Sequence, residues 1–168
     1  MPSSMYRSSI PVFIRAFGNL SAILGKAAAH AEARKIDPSV LVNARLAPDM
    51  FPLSRQVQSA SDTAKGCAAR LAGIEVPRFE DTETTFAELQ ARIAKTVAFL
   101  QGVKAVQIDG SEDRTITLKL RGREVSFSAP DYLLTFALPN FFFHATTAYA
   151  ILRHNGVEIG KTDYLGSL

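Results

Sequence analysis

The chain has 168 residues, is 47% apolar and carries a net charge of +3. That length suits one domain, spanning 1–168, with a single core, and that apolar share excludes a disordered chain. The basic residues are scattered along the sequence rather than gathered into a stripe, so an ordinary mildly basic surface is expected and a nucleic-acid partner is not.

No apolar run approaches the ~20 residues that span a bilayer, so no membrane segment is expected. Met1-Pro-Ser-Ser-Met-Tyr-Arg7 lacks the apolar core and small-residue cleavage site of a secretory signal. Cys67 is the single cysteine, which excludes an intrachain disulfide. Together these point to the cytoplasm.

Residues 1–7 read as a short lead-in. Ser8 or Ser9 can cap a helix, with Pro11 in its first turn, where a missing N–H costs little. Phe13, Phe17, Leu20, Leu24, Ala27 and Ala31 then recur at steps of four and three, one continuous helical stripe. Arg34 and Lys35 lie at the negative end of the helix dipole, and Asp37-Pro38 stops it. His30 falls off the stripe, on a solvent flank. Residues 38–52 are a connection in which Val40, Leu41 and Leu46 can form a helical turn. Two prolines bar regular helix over 47–52, Met50 and Phe51 are expected to pack onto the bundle, and Asp49 is expected to cap a turn.

Leu53, Val57, Ala60, Ala64, Cys67 and Leu71 share one face of a second long helix, which Gly73 closes. Cys67 reads as a buried filler rather than a nucleophile. Gln56 lies at the stripe's edge. Asp62 points outward, with Lys65 or Arg55 as partner. Ser59, Gly66, Ala69 and Gly73 form a second line of small residues that could receive a helix from a partner subunit.

Residues 74–84 form an acidic loop, whose Glu75, Glu80, Asp81 and Glu83 suit a helix start for dipole reasons. Thr85-Phe-Ala-Glu88 has the spacing of a capping box. Phe86, Leu89, Ile93, Val97 and Leu100 mark the third helix, ending at Gly102. The period then changes to that of a strand. Val106 and Ile108 precede a loop, Ile116, Leu118 and Leu120 alternate, Arg121-Gly-Arg123 turns, and Val125 and Phe127 resume the alternation. Such a hairpin must lie on the helices to be stable. Ser128-Ala-Pro-Asp131 opens another helix, with Tyr132, Leu133 and Phe136 inward, and Pro139 is expected to kink or restart it.

Pro139 to Gly156 is the last and most apolar helix, and Val157, Ile159, Tyr164 and Leu165 can pack across a bundle end. His144 has Phe141, Ala148 and Ile151 as same-face neighbours, so it is expected to face the core. A buried imidazole needs a hydrogen-bond partner. The candidates are Gln56, a tyrosine such as Tyr149 or Tyr132, and a carbonyl freed by Pro139. Ala145 and Ala148 leave room for a water, a ligand or a metal. A satisfied structural histidine is favoured over a ligand or metal role, and the expected pocket is His144, Gln56, Ala148 and Tyr149. The architecture expected is mainly α: a four-helix bundle with a small β-hairpin inserted before the last helix.

Four segments carry a resemblance: Met5-Tyr-Arg-Ser-Ser-Ile-Pro-Val-Phe13, Arg45-Leu-Ala-Pro-Asp-Met-Phe-Pro-Leu53, Ala69-Arg-Leu-Ala-Gly73, and Asn140 through Gly156 with its Phe-Phe-Phe-His. The layout resembles the DinB/YfiT-like superfamily of bacterial four-helix bundles, and more closely a bacterial family of unknown function within it. The resemblance covers essentially the whole chain and implies a homodimer. In the superfamily it implies a divalent metal, zinc or nickel, held by one histidine of the second helix and a His-x-x-x-His pair on the last. Here His144 matches the first of that pair, but Ala148 stands at the second, and the second helix has no histidine. His154 lies ten positions on, well round the helix at ~100° per residue. No metal or other cofactor is therefore expected, with His144 as a weak sole ligand. The expectation is a homodimeric small-ligand-binding or non-catalytic protein, the alternative a metal-dependent or histidine-based transferase or hydrolase using His144.

Overall fold

The computed structural model describes residues 4–167; the first three residues of the expected lead-in and Leu168 lie outside it. The four long helices are α1 (Ile10–Arg34), α3 (Leu53–Ala72), α4 (Phe86–Gly102) and α7 (Leu138–His154). Helices α1 and α3 each pack on both α4 and α7, which closes the bundle. Short helices α2 (Pro38–Val42), α5 (Ala105–Ile108), α6 (Ala129–Asp131) and α8 (Lys161–Leu165) connect and edge it. One antiparallel hairpin, β1 (Thr115–Leu120) with β2 (Arg123–Ser128), precedes the last long helix, as read from the sequence.

All six stripe residues of α1 are buried. Phe13 and Phe17 meet the ring of Phe141 edge-on at 4.9 and 5.1 Å, tying α1 to α7. Each such side chain contributes about 1.5–3 kcal/mol through burial. Ser9 occupies the N-cap position, but its hydroxyl donates back to the Met5 carbonyl at 2.7 Å instead of capping α1. Over an 18-residue stretch the mean hydropathy of α1 reaches 1.2, so this helix is long and apolar enough to cross a bilayer, contrary to expectation. Its apolar stripe is instead packed in the bundle.

Four local readings are corrected. Phe51 is 50% exposed, since Pro52 starts α3 immediately and its ring turns out to meet the Arg55 guanidinium, 5.6 Å away. Asp49 is exposed, and the cap in this region is Asp37, which accepts from the Ser39 amide at 2.9 Å. Val106 and Ile108 lie in a single helical turn, not a strand; two alternating residues suit either, and Gln107 caps the turn by accepting the Lys104 amide. The hairpin turns on Arg121 and Gly122 alone (φ 49° and 79°), the two-residue turn that matches strand twist, so Arg123 is already in β2.

From Ala129 to His154 the chain is one continuous helical rod, with a π-helical segment at Tyr132–Ala137. Pro139 therefore neither breaks nor restarts the helix. It falls in the first turn of α7, and the widened turn before it accommodates the ring and the missing N–H. Helix α8 lies along α1 rather than across the bundle end. Lys26 pairs with Asp163 at 2.6 Å, and Asn19 and Arg15 donate to the carbonyls of Tyr164, Leu165 and Ser167.

The small-residue line of α3 is filled from within the chain. The Arg70 guanidinium lies so close over Gly66 that an added Cβ would sit 2.5 Å from it. Arg114 covers Gly73, whose φ of 68° also requires glycine, and donates to the Leu71 carbonyl.

Candidate functional site

His144 projects from α7 toward α3, where its Nδ1 lies 2.8 Å from Gln56 Oε1. Gln56 is 1% exposed, and its amide nitrogen donates to the Phe51 carbonyl at 3.1 Å. That second bond orients the amide. Its oxygen faces the imidazole, so Nδ1 carries the proton and Nε2 holds the lone pair. Nε2 has no partner among the described residues and is not sealed from solvent.

The imidazole is half-buried at the rim of the α3–α7 seam, not turned into the core as expected. Helical spacing set the side of α7 it lies on, and its hydrogen bond to Gln56 holds it at the edge. Phe143, 55% exposed, meets it edge-on at 5.3 Å. Partial burial, helped by the Arg55 guanidinium, pushes its pKa below the ordinary 6.5. His144 is therefore neutral at neutral pH.

The structure joins His144 and Gln56 but not the whole expected pocket. Ala148 is fully buried behind the histidine and offers no donor atom. Tyr149 turns toward α8, where its ring meets Tyr164 at 5.9 Å. Tyr132 accepts from Arg70 instead, at 3.1 Å. An apolar cavity of about 220 Å³ lies on the other flank of α7, between Leu20, Ile23, Phe142, Ala145, Tyr164 and Leu165. His30 is half-exposed on the outer side of α1, and His154 is exposed at the end of α7.

The His144–Gln56 pair is one of three polar rungs between α3 and the final helical rod. Asn140 donates to Thr63 Oγ1 at 2.8 Å, and Arg70 donates to the Tyr132 hydroxyl. Gln56, Thr63 and Arg70 are each seven residues apart, so they line one edge of α3. That spacing was visible in the sequence; their partners were not.

A second constellation was legible in the sequence only through its Asp62–Lys65 pair. Arg92 is buried on α4 and holds Asp62 at 2.8 Å, Asp81 at 3.0 Å and Glu83 at 3.1 Å. Lys65 joins Asp62 at 3.0 Å and reaches the Pro77 carbonyl. The ring of Phe79 lies near Lys95, Lys65 and Arg92 at 4.1, 4.9 and 5.8 Å. Asp81 and Glu83 thus act as counter-ions that bind the 74–84 loop to the bundle, rather than as dipole partners of α4. Arg55 pairs with Asp81, not Asp62. Thr85 and Glu88 do form the capping box.

Cys67 is wholly buried, and burial pushes its thiol up to about 12, so it is no nucleophile.

The three-histidine metal centre of the resembled superfamily does not fit these residues. On α7 one imidazole and the methyl of Ala148 stand where the His-x-x-x-His pair would, α3 carries no histidine, and the Gln56 amide oxygen is already committed to His144. Among the described residues no three of His, Cys, Asp or Glu converge as a metal-ligand group.

No curated protein matches the chain. Among solved structures, a crystal structure of a DinB family member protein from Shewanella denitrificans is 44% identical over 97% of this chain and 92% of that one, with a TM-score of 0.88. The sequence profile of the domain of unknown function DUF1993 matches residues 5–165. With the bundle, the inserted hairpin and nearly the whole length accounted for, the chain belongs to the DUF1993 family, a DinB-like family of unknown function.

Proposed function

We propose that this protein is a homodimeric bundle that binds a small polar ligand at His144 and holds no resident metal. The observation that carries the reading is the His144–Gln56 hydrogen bond, with Gln56 itself pinned by the Phe51 carbonyl. It presents a neutral imidazole whose Nε2 lone pair is open to solvent, beside the exposed ring of Phe143. An acceptor beside an exposed aromatic ring suits a flat ligand that carries an N–H or O–H donor. One imidazole and an occupied amide make a poor transition-metal set, which supports the metal-free reading. The dimer rests on the superfamily resemblance. The cytoplasm is inferred from the lone, buried thiol of Cys67.

The test uses protein purified without a polyhistidine tag. Light scattering is expected to give twice the 18.3 kDa chain mass. Flat donor-bearing fragments are expected to shift the His144 Nε2 resonance, and to lose binding in His144→Ala. Stoichiometric zinc or nickel that survives dialysis and disappears in His144→Ala overturns the reading.

A second reading has a specific observation behind it. The lowered pKa keeps Nε2 unprotonated at neutral pH, which is what a general base needs. His144 would then serve a metal-free transferase or hydrolase. Unchanged turnover in His144→Gln, for any activity a substrate screen finds, removes it.

A further inference from the structure

Arg70 is half-buried, yet it has no carboxylate partner among the described residues. Lys26, Arg55, Lys65 and Arg92 all have one. Its position is built rather than incidental. Gly66 leaves the space in which the guanidinium lies, and any larger residue there would displace it. Its Nη1 donates to the Tyr132 hydroxyl at 3.1 Å.

Tyr132 supplies the second, independent observation. It is 1% exposed, and its oxygen accepts from Arg70, but no described group accepts its own proton. A buried donor without an acceptor is costly unless something else completes it. Burial raises its pKa to about 12, so the phenol remains a donor across physiological pH.

Both groups line one pocket of about 240 Å³ between α3, the hairpin and the π-helical segment. Leu118, Leu120 and Phe136 give it apolar walls, and Phe136 stacks on the Tyr132 ring at 6.0 Å. Lys119 and Asn140 also line it. Asp62 also lines it, but its carboxylate is already shared by Lys65 and Arg92. The π segment contributes here: it begins at Tyr132, and such widened turns recur at functional sites.

We propose that this pocket binds a small organic monocarboxylate, its carboxylate on the Arg70 guanidinium and the Tyr132 O–H, its apolar body against Leu118, Leu120 and Phe136. A planar fork of N–H donors beside a phenol matches the two oxygens of a carboxylate. The volume lies below the roughly 300 Å³ at which drug-sized pockets begin, which limits the body to about one ring or a short chain. The site is separate from His144 and does not depend on it.

Benzoate is the probe, followed by NMR at the backbone amide resonances of Leu118, Leu120 and Phe136 in the full chain, which every variant retains. Wild type is expected to show saturable shifts with a dissociation constant of about 1 mM or tighter. Arg70→Gln weakens binding about tenfold or more, Tyr132→Phe several-fold, and His144→Ala not at all. No saturation by about 50 mM benzoate, or equal affinity in Arg70→Gln, overturns the proposal. Inorganic phosphate binding more tightly than benzoate overturns the carboxylate assignment. If Arg70→Gln does not fold, Tyr132→Phe decides, because it keeps the packed ring: unchanged benzoate affinity there also overturns the site.

Discussion

Gln56 accepts the Nδ1 proton of His144 at 2.8 Å while donating its own amide proton to the Phe51 carbonyl at 3.1 Å. One side chain thereby fixes the tautomer of a histidine and the end of the loop before α3. Replacing it by alanine leaves a half-buried N–H and a carbonyl without partners. Gln56→Ala is expected to lose about 1–3 kcal/mol in chemical denaturation. The long-range nitrogen–proton NMR spectrum of His144 should change from a single Nδ1–H form to a mixture of tautomers. A single tautomer retained in the variant would show that Gln56 does not set it.

The same histidine gives stability a pH dependence of known sign. Its folded pKa lies below the ordinary 6.5. The unfolded chain therefore binds a proton at this residue more readily than the folded chain does. Stability is intact above pH 6.5 and declines as pH falls from there toward the folded pKa. Glu88 and Asp163, whose folded pKa values are also lowered, lose their contributions only below their ordinary values of 4.5 and 3.8. Denaturation midpoints at about pH 7.5 and 5.5 isolate the histidine component. Wild type is expected to lose more stability between them than His144→Gln.

What could be read from the sequence was periodic. Phe13 to Ala31, Leu53 to Leu71 and Phe86 to Leu100 declared their buried faces through helical spacing, and Thr85 with Glu88 declared a helix start through a local pairing. Gln56 was legible only as one of several candidate partners of His144, and the histidine, read as core-facing, lies at the rim of the seam. Arg92 was not legible, because its partners come from α3 and from a loop with no period of its own. A buried arginine beside an apolar stripe looks the same in sequence as an exposed one. Tyr149 was misplaced because α8 folds back along α1, a long-range choice that no local pattern records. Tyr132 was read as inward and is buried, but its pairing with Arg70 was not legible, because it depends on how the final helical rod docks on α3.

Arg92 is the connection most easily broken. Removing it leaves Asp62, Asp81 and Glu83 facing one another without their shared cation. A sealed ion pair costs about 3–5 kcal/mol to break, but these carboxylates keep some solvent, so about 2–3 kcal/mol is expected for Arg92→Ala. The loss should be local as well as global, since the 74–84 loop is bound through the same contacts. Trypsin should cut after exposed Arg78 faster in the variant than in wild type. Equal cleavage rates would mean that Lys65 and the Phe79 contacts suffice to hold the loop.

Cys67 offers a measure of the whole core. It lies on the inward face of α3 with no exposed surface, and its thiol is pushed up to about 12. A disulfide reagent is attacked only by the thiolate, which expels the reagent's other sulfur, and only where it can reach Cys67. In the folded chain both conditions fail, so labelling must wait for the bundle to open. No other cysteine competes for the reagent. In native buffer the labelling rate is expected to follow the global unfolding equilibrium and to rise with denaturant at the slope of the equilibrium transition. A shallow dependence would mean that α3 opens by itself. Arg92→Ala should then accelerate labelling by the factor its stability loss predicts, about 30- to 160-fold for 2–3 kcal/mol. Acceleration of proteolysis without acceleration at Cys67 would confine the role of Arg92 to the loop and leave the α3–α7 seam to be held by its apolar contacts and its three polar rungs.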